Sequence, residues 1–186
     1  MVLEERFFAL LGLAPGHVLE IGVRRSQPDR PTTWRDRINA LPGCTHVGVD
    51  CESGDDVDLV VDAHQLSQAF AAATFDALVC RFTLEHLRRP WVAAREMALV
   101  CKPGALGYVL THQSFPLHGY PQDFFRFSQE AIGELFAPDM GWRVLESGYD
   151  RRCKIAPTEN LSGELWPWNF EADGWLCVAA VVERTR

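Results

Sequence analysis

Five ionisable side chains crowd the segment THQSFPLHGYPQDFFRF: His112, His118, Tyr120, Asp123 and Arg126. A neutral imidazole takes a proton from an alcohol near pH 7, and a carboxylate beside it can orient the ring. His118 with Asp123 is therefore the candidate general-base pair, His112 is the next candidate, and Tyr120 and Arg126 are candidates to position an acceptor. The plainer alternative is that Asp123 and Arg126 pair to pin the loop while His118, between Leu117 and Gly119, caps a turn. Three other stretches carry acids at the ends of apolar runs: Glu20 with Gly22, Asp50, and Asp62 with Ala63 and His64. A carboxylate at the position of Asp50 can accept hydrogen bonds from both hydroxyls of a ribose. One at Asp62 can accept from an adenine amino group, or cap a helix. Arg24 and Gln27 stand where a dinucleotide site needs glycines for close approach of the pyrophosphate, which argues against a nicotinamide or flavin dinucleotide. The three ends together ask for an adenosine with a free ribose and no pyrophosphate, the adenosyl end of S-adenosylmethionine. Arg24 or Arg25 can hold a cofactor carboxylate through a bidentate guanidinium, or lie solvated.

Such residues act together only if the chain brings strand ends to one edge, and the order of elements does this. Leu3, Phe7, Leu10 and Leu11 share a helical face that the Pro15–Gly16 break closes. HVLEIGV from His17 is a short apolar run suited to a central parallel strand. Trp34, Ile38 and Leu41 predict a helix with Thr33 as its cap and Pro42–Gly43 as its stop. THVGVD, VDLVV and FDALVCRF are the second to fourth strands, with a helix expected over Ala63–Ala73. Trp91, Ala94, Ala98 and Cys101 mark a helix face between Pro90 and the stop at Lys102–Gly104. ALGYVLTH is the fifth strand. Ser128 caps a helix with Ile132, Leu135 and Phe136, and Phe127 is placed as a staple on Ile132. WRVLESG and WLCVAAVVE close the chain, and the irregular stretch between them favours an antiparallel pair. The fold class is α/β: a doubly wound, mostly parallel seven-stranded sheet with an antiparallel last strand. Residues 113–127 and 151–174 remain irregular and aromatic, as lids and binding loops are.

The chain's 186 residues suit one domain, 1–186, with a leading helix over 1–16. Its 47% hydrophobic and 23% charged residues exclude disorder and a disulfide scaffold. A net charge of −7 repels a polyanion, so nucleic acid is not the expected substrate. No two of the six cysteines have zinc-ribbon or redox spacing, no metal is expected, and the thiols read as reduced. The amino terminus lacks the features of a signal peptide and no apolar run spans a bilayer, so the expected compartment is the cytoplasm without a membrane partner.

VLEIG from Val18 resembles the first motif of class I S-adenosylmethionine-dependent methyltransferases. GVDCESGDDVDLVVDAHQL resembles their second and third motifs, and FDALVCRFTLEHL with REMALVCKPGAL resembles their fourth strand and following helix. The resemblance runs from Val18 to Val182, and THQSFPLHGYPQDFFRFSQEAI is similar to a small bacterial subgroup linked to glycan or secondary-metabolite pathways. Arg24 and Ser26 replace two family glycines. The resemblance implies a Rossmann-like methyltransferase fold and S-adenosylmethionine as cofactor. It implies Glu20 and Gly22 beside the methionine part, Asp50 at the ribose with Cys51 next to it, and Asp62, Ala63 and His64 at the adenine, with Arg81 facing the cofactor. His86, Tyr120, Arg126 and Trp166 fall on the acceptor side. The implied activity is methyl transfer to an oxygen, before a nitrogen, of a small molecule such as a sugar or secondary metabolite. The alternative is a non-catalytic methyltransferase-like module whose aromatic loops bind a protein. Trp166 and Trp168 fit a pocket wall or a homodimer interface equally.

Overall fold

The structure, a computed structural model, describes residues 3–25, 33–119, 121–157, 159, 162 and 171–185. Helix α1 spans Leu3–Leu13 and leads into β1, His17–Ile21. Next come α2 (Arg35–Asn39), β2 (Thr45–Asp50), β3 (Leu59–Val60), α3 (Leu66–Ala69) and β4 (Phe75–Arg81). The remaining elements are α4 (Pro90–Val100), β5 (Cys101–His112), α5 (Gln129–Leu135), β6 (Trp142–Ile155) and β7 (Ala172–Arg184). The seven strands form one sheet in the order β3-β2-β1-β4-β5-β7-β6. Strands β1 to β5 pair in parallel, and β7 runs antiparallel to both β5 and β6.

The inner parallel strands are apolar almost throughout because both of their faces are covered, whereas the two residues of the edge strand β3 are exposed. Successive residues alternate between two cores. Leu19, Leu78 and Cys80 pack with Met97 of α4 and Ile132 of α5. Val18, Ala77 and Val79 pack with Phe7 and Leu11 of α1 and Ile38 of α2. Trp142 joins the first core with its indole N–H donated to the Ala94 carbonyl at 2.9 Å, which ties β6 to α4. The chain steps outward from β1 to β3 and then returns to β4 on the other side of β1. That reversal between β1 and β4 opens a crevice at their carboxyl ends, where ligands of such sheets bind.

Several expectations shift in extent. The helix expected over Ala63–Ala73 is a 3₁₀ turn, Ala63–Gln65, followed by the single turn α3. It stops because Phe70 turns extended to set its ring edge-on to Phe75 and Ala73 adopts φ +54. Trp91 is 49% exposed, so the buried face of α4 is formed by Ala93, Ala94, Met97 and Ala98 instead. β6 extends to Ile155 and β7 begins at Ala172, so both ends of the expected loop 151–174 are strand. That loop's aromatic residues, Trp166 included, lie outside the described residues with Leu161, Leu165, Trp168 and Phe170. The described residues of 113–127 contain no helix or strand. Ser128 accepts the Ala131 N–H as the expected cap, and all six cysteines are free. Among the described residues no helix is long and apolar enough to cross a membrane.

Candidate active site

The crevice is a cleft of about 240 Å³ lined by the ends of β1, β2 and β4 and by the segment after β5. Gly22 lies just beyond β1 with φ +79, and a Cβ there would come within 1.9 Å of Thr83 Oγ1. Only glycine allows the backbone to turn so closely under Thr83. The Thr83 hydroxyl is within bonding distance of the carbonyls of Arg81 (2.9 Å) and Ile21 (3.3 Å), which holds the ends of β4 and β1 together.

Asp50 stands at the end of β2. Its Oδ2 accepts the Arg24 N–H at 3.0 Å and its Oδ1 accepts the Glu52 N–H at 3.2 Å, so the backbone fixes the carboxylate at the rim. Cys51 stands beside it with its residue surface largely exposed, and the partial desolvation of its thiol together with the charges of Asp50 and Glu52 raises the thiol pKa. Asp62 realises the helix-cap alternative: its Oδ1 accepts the His64 N–H at 2.9 Å and meets the His64 ring at 2.6 Å. Burial works against ionisation of Asp62, but these two bonds outweigh it and lower its pKa. His64 Nε2 accepts the Arg89 N–H at 3.3 Å, so the ring proton sits on Nδ1. Ile21, Val61, Ala63, Leu87 and Phe124 supply apolar wall between these groups.

The structure places Glu20 and the arginines inside the chain's own ion pairs. Glu20 is buried; its Oε2 accepts from Thr33 Oγ1, Trp34 N and His46 Nε2, and its Oε1 accepts from Arg81 at 3.0 Å. Burial raises the Glu20 pKa, yet His46, Arg81 and the other donors bring it below the usual range. The Arg81 guanidinium also lies 4.1 Å over the Trp34 ring. Arg24 pairs with Glu52 at 3.0 Å, and Arg25 forks onto Asp56 at 2.9 and 3.2 Å. Guanidinium groups engaged in this way are held by acids of the chain.

On the other side of the cleft, the segment after β5 is fastened to the 3₁₀ turn Leu84–His86. The N–H groups of Phe124 and Phe125 bond to the Glu85 carbonyl at 2.8 and 3.3 Å, and His86 Nδ1 meets the Gln122 carbonyl. Arg126 bonds to both Asp123 oxygens at 2.6 and 2.8 Å and to the carbonyls of Phe115 and Pro116. That fork is the loop-pinning alternative, and the Arg126 bond together with the His118 N–H draws Asp123 well below the usual carboxylate range. Asp123 is still close to the proposed base, with Oδ2 at 3.5 Å from His118 Nδ1.

Three imidazoles meet here. The His118 ring centre is 4.8 Å from that of His86 and 5.0 Å from that of His112, with Phe115 stacked on His112 at 4.1 Å. Burial and the nearby His118 and Arg126 push His112 down to about 4. Tyr120 lies outside the described residues. Thr83, Gln122 and Phe124 join the site without having been singled out from sequence. Thr83 carries no periodic signal in RFTLEHL, and Gln122 and Phe124 are brought to the cleft by long-range bonds to His86 and Glu85 together with the Arg126–Asp123 pin.

Residues 43–109 match the family described as a methyltransferase domain. No curated protein sequence matches significantly. Among solved structures, an S-adenosylmethionine-dependent methyltransferase from Archaeoglobus fulgidus is similar with TM-score 0.69 at 15% identity, covering 97% of this chain and 91% of that one. The Burkholderia thailandensis 1,6-didemethyltoxoflavin-N1-methyltransferase, solved with 1,6-didemethyltoxoflavin and S-adenosylhomocysteine, aligns with TM-score 0.65 at 12% identity, covering 100% and 79%. A methyltransferase from Aquifex aeolicus gives TM-score 0.63 at 15% identity, covering 97% and 89%.

Proposed function

We propose that this chain, a class I methyltransferase in its fold and in the family of its central segment, moves a methyl group from S-adenosylmethionine to an oxygen of a small molecule. One observation carries the reading: the cleft that holds Gly22, Asp50 and Asp62 also takes in His86, whose ring meets His118 at 4.8 Å.

The residues present fit the adenosyl group. Each Asp50 oxygen accepts one backbone N–H and keeps a lone pair, so the pair can receive two ribose hydroxyls. Asp62 Oδ1 is taken by His64, which leaves Oδ2 for an amino group against the apolar surface of Val61 and Ala63. At the methionine end, the turn at Gly22 offers backbone where a side chain would clash. Glu20 serves there through its ion pair with Arg81, because Oε2 already accepts three bonds. The cofactor supplies a methyl group on a positively charged sulfur that leaves as a neutral thioether.

An alcohol must lose its proton as its oxygen attacks, whereas a neutral amine attacks with its free lone pair. Three imidazoles beside the cleft suit the alcohol. A chain of net charge −7 suits an uncharged acceptor, a hydroxyl of the kind borne by sugars and secondary metabolites. Titration calorimetry tests the cofactor half. Wild-type protein should bind S-adenosylmethionine, and Asp50→Ala should weaken it by about tenfold or more, the loss of at least one charge-assisted hydrogen bond. Equal affinity in the folded variant would refute the assignment.

A further inference from the structure

Two buried carboxylates lie near the cleft, and their surroundings differ. Glu20 receives bonds from four groups, a guanidinium among them. Glu85, with 0% of its surface exposed, accepts from the Thr111 hydroxyl at 2.7 Å through Oε2, while its Oε1 has no hydrogen-bond partner among the described residues. That oxygen points to His112, whose Nε2 is 3.3 Å away. Two ligands about 2.0–2.1 Å from one tetrahedral ion sit about 3.4 Å apart, so this spacing is that of neighbouring ligands. A carboxylate oxygen of Glu85 and one ring nitrogen each of His112 and His118 lie within 4.8 Å of one another. Stacking on Phe115 and contact with Phe82 hold the His112 ring in that direction.

We propose that Glu85, His112 and His118 bind a divalent transition-metal ion beside the acceptor position. Two imidazoles and one carboxylate favour zinc, iron, manganese or nickel over the oxygen-seeking calcium and magnesium. Glu85 and His112 come from the buried side, and the His118 side chain is 31% exposed, so a bound ion would keep a position open on the side of His118, whose ring packs on His86 of the cleft. The use of that position rests on the methyl-transfer reading. An acceptor hydroxyl bound there would give up its proton to solvent more readily, its charge held by the ion, and His118 would act as a ligand.

The test uses tag-free protein and cobalt(II), whose visible absorption reports its ligands. Wild-type protein should saturate with one equivalent and develop the intense bands of a low-coordinate nitrogen and oxygen site. Glu85→Gln and His118→Ala should each weaken binding by at least the roughly tenfold that loss of an outer-shell partner costs. Should the buried Glu85 variant fail to fold, His118→Ala, at a partly exposed position, decides alone. No saturable binding by wild-type protein, or wild-type affinity in His118→Ala, overturns the site. The titration contains neither cofactor nor acceptor. Its failure therefore leaves the methyl-transfer reading standing, and failure of the cofactor calorimetry leaves the metal site standing.

Discussion

Gly22 shows how one residue shapes the β1 side of the cleft, the side proposed for the cofactor. Alanine there meets two separate penalties: a left-handed backbone at φ +79, and a methyl group 1.9 Å from Thr83 Oγ1. The first costs about 1 kcal/mol or more, and overpacking of the second kind adds about 1–3 kcal/mol. Gly22→Ala should therefore lower unfolding free energy by roughly 2–4 kcal/mol in urea and weaken the cofactor with it. Thr83→Ala removes the clashing hydroxyl but not the backbone strain. The double variant should recover part of the loss, and strictly additive losses would show that Thr83 is not what fills the space. The glycine was legible in VLEIG, because a glycine ending an apolar strand marks a turn. Its partner was not, since nothing in the spacing of Thr83 shows that it reaches back to Ile21 and Arg81.

Among the elements, β1, β2 and β4 are joined by more than their ladders, because Glu20, His46 and Arg81 project from one strand each into a single buried cluster. Glu20→Gln keeps the shape and removes the charge, leaving a guanidinium whose side chain is 15% exposed without its carboxylate. Breaking a buried pair from one side costs about 3–5 kcal/mol, and denaturant unfolding at neutral pH should show a loss of that order. The sign with pH follows from the depressed Glu20 pKa. Its contribution is fully present above the ordinary carboxylate range and is lost as pH falls through the depressed value, so the variant and wild type should converge in acid. The strands themselves were readable as apolar runs, with β7 correctly antiparallel to β6. Where the reading fell short, periodicity was absent or misleading. In YDRRCKI the alternation of Tyr149, Cys153 and Ile155 with charged residues is interrupted by Arg151, yet the segment continues β6 by pairing with β7 as far as Ile155↔Ala172. Trp91 fits the helical spacing of α4 but faces outward, since Ala93 and Met97 fill the space against the sheet.

For the molecule as a whole, the reversal of strand order between β1 and β4 puts three acid-bearing strand ends and the histidine segment on one crevice, while the sequence of the first turn lacks the glycines of a phosphate cradle. Arg24 stands where a second glycine would let backbone approach a pyrophosphate, and its guanidinium is paired with Glu52. Arg25 is likewise forked onto Asp56, so cations near the first turn already face acids of the chain. With a net charge of −7 over the whole protein, the doubly charged pyrophosphate of a dinucleotide meets repulsion at long range and, at contact, a first turn without the glycines that would admit it. S-adenosylhomocysteine, whose ribose is the proposed partner of Asp50 and which has no phosphate, meets neither obstacle. A ligand at about 100 times its Kd stabilises the native state by about 3 kcal/mol. For a chain of this length each kcal/mol raises Tm by about 2–4 °C. Thermal unfolding should thus rise by about 5–10 °C with saturating S-adenosylhomocysteine and stay fixed with NAD⁺ at the same concentration. The reverse pattern, a rise with NAD⁺ alone, would mean that the acids at the strand ends serve a dinucleotide after all and that the glycine-poor turn rearranges to admit its phosphates.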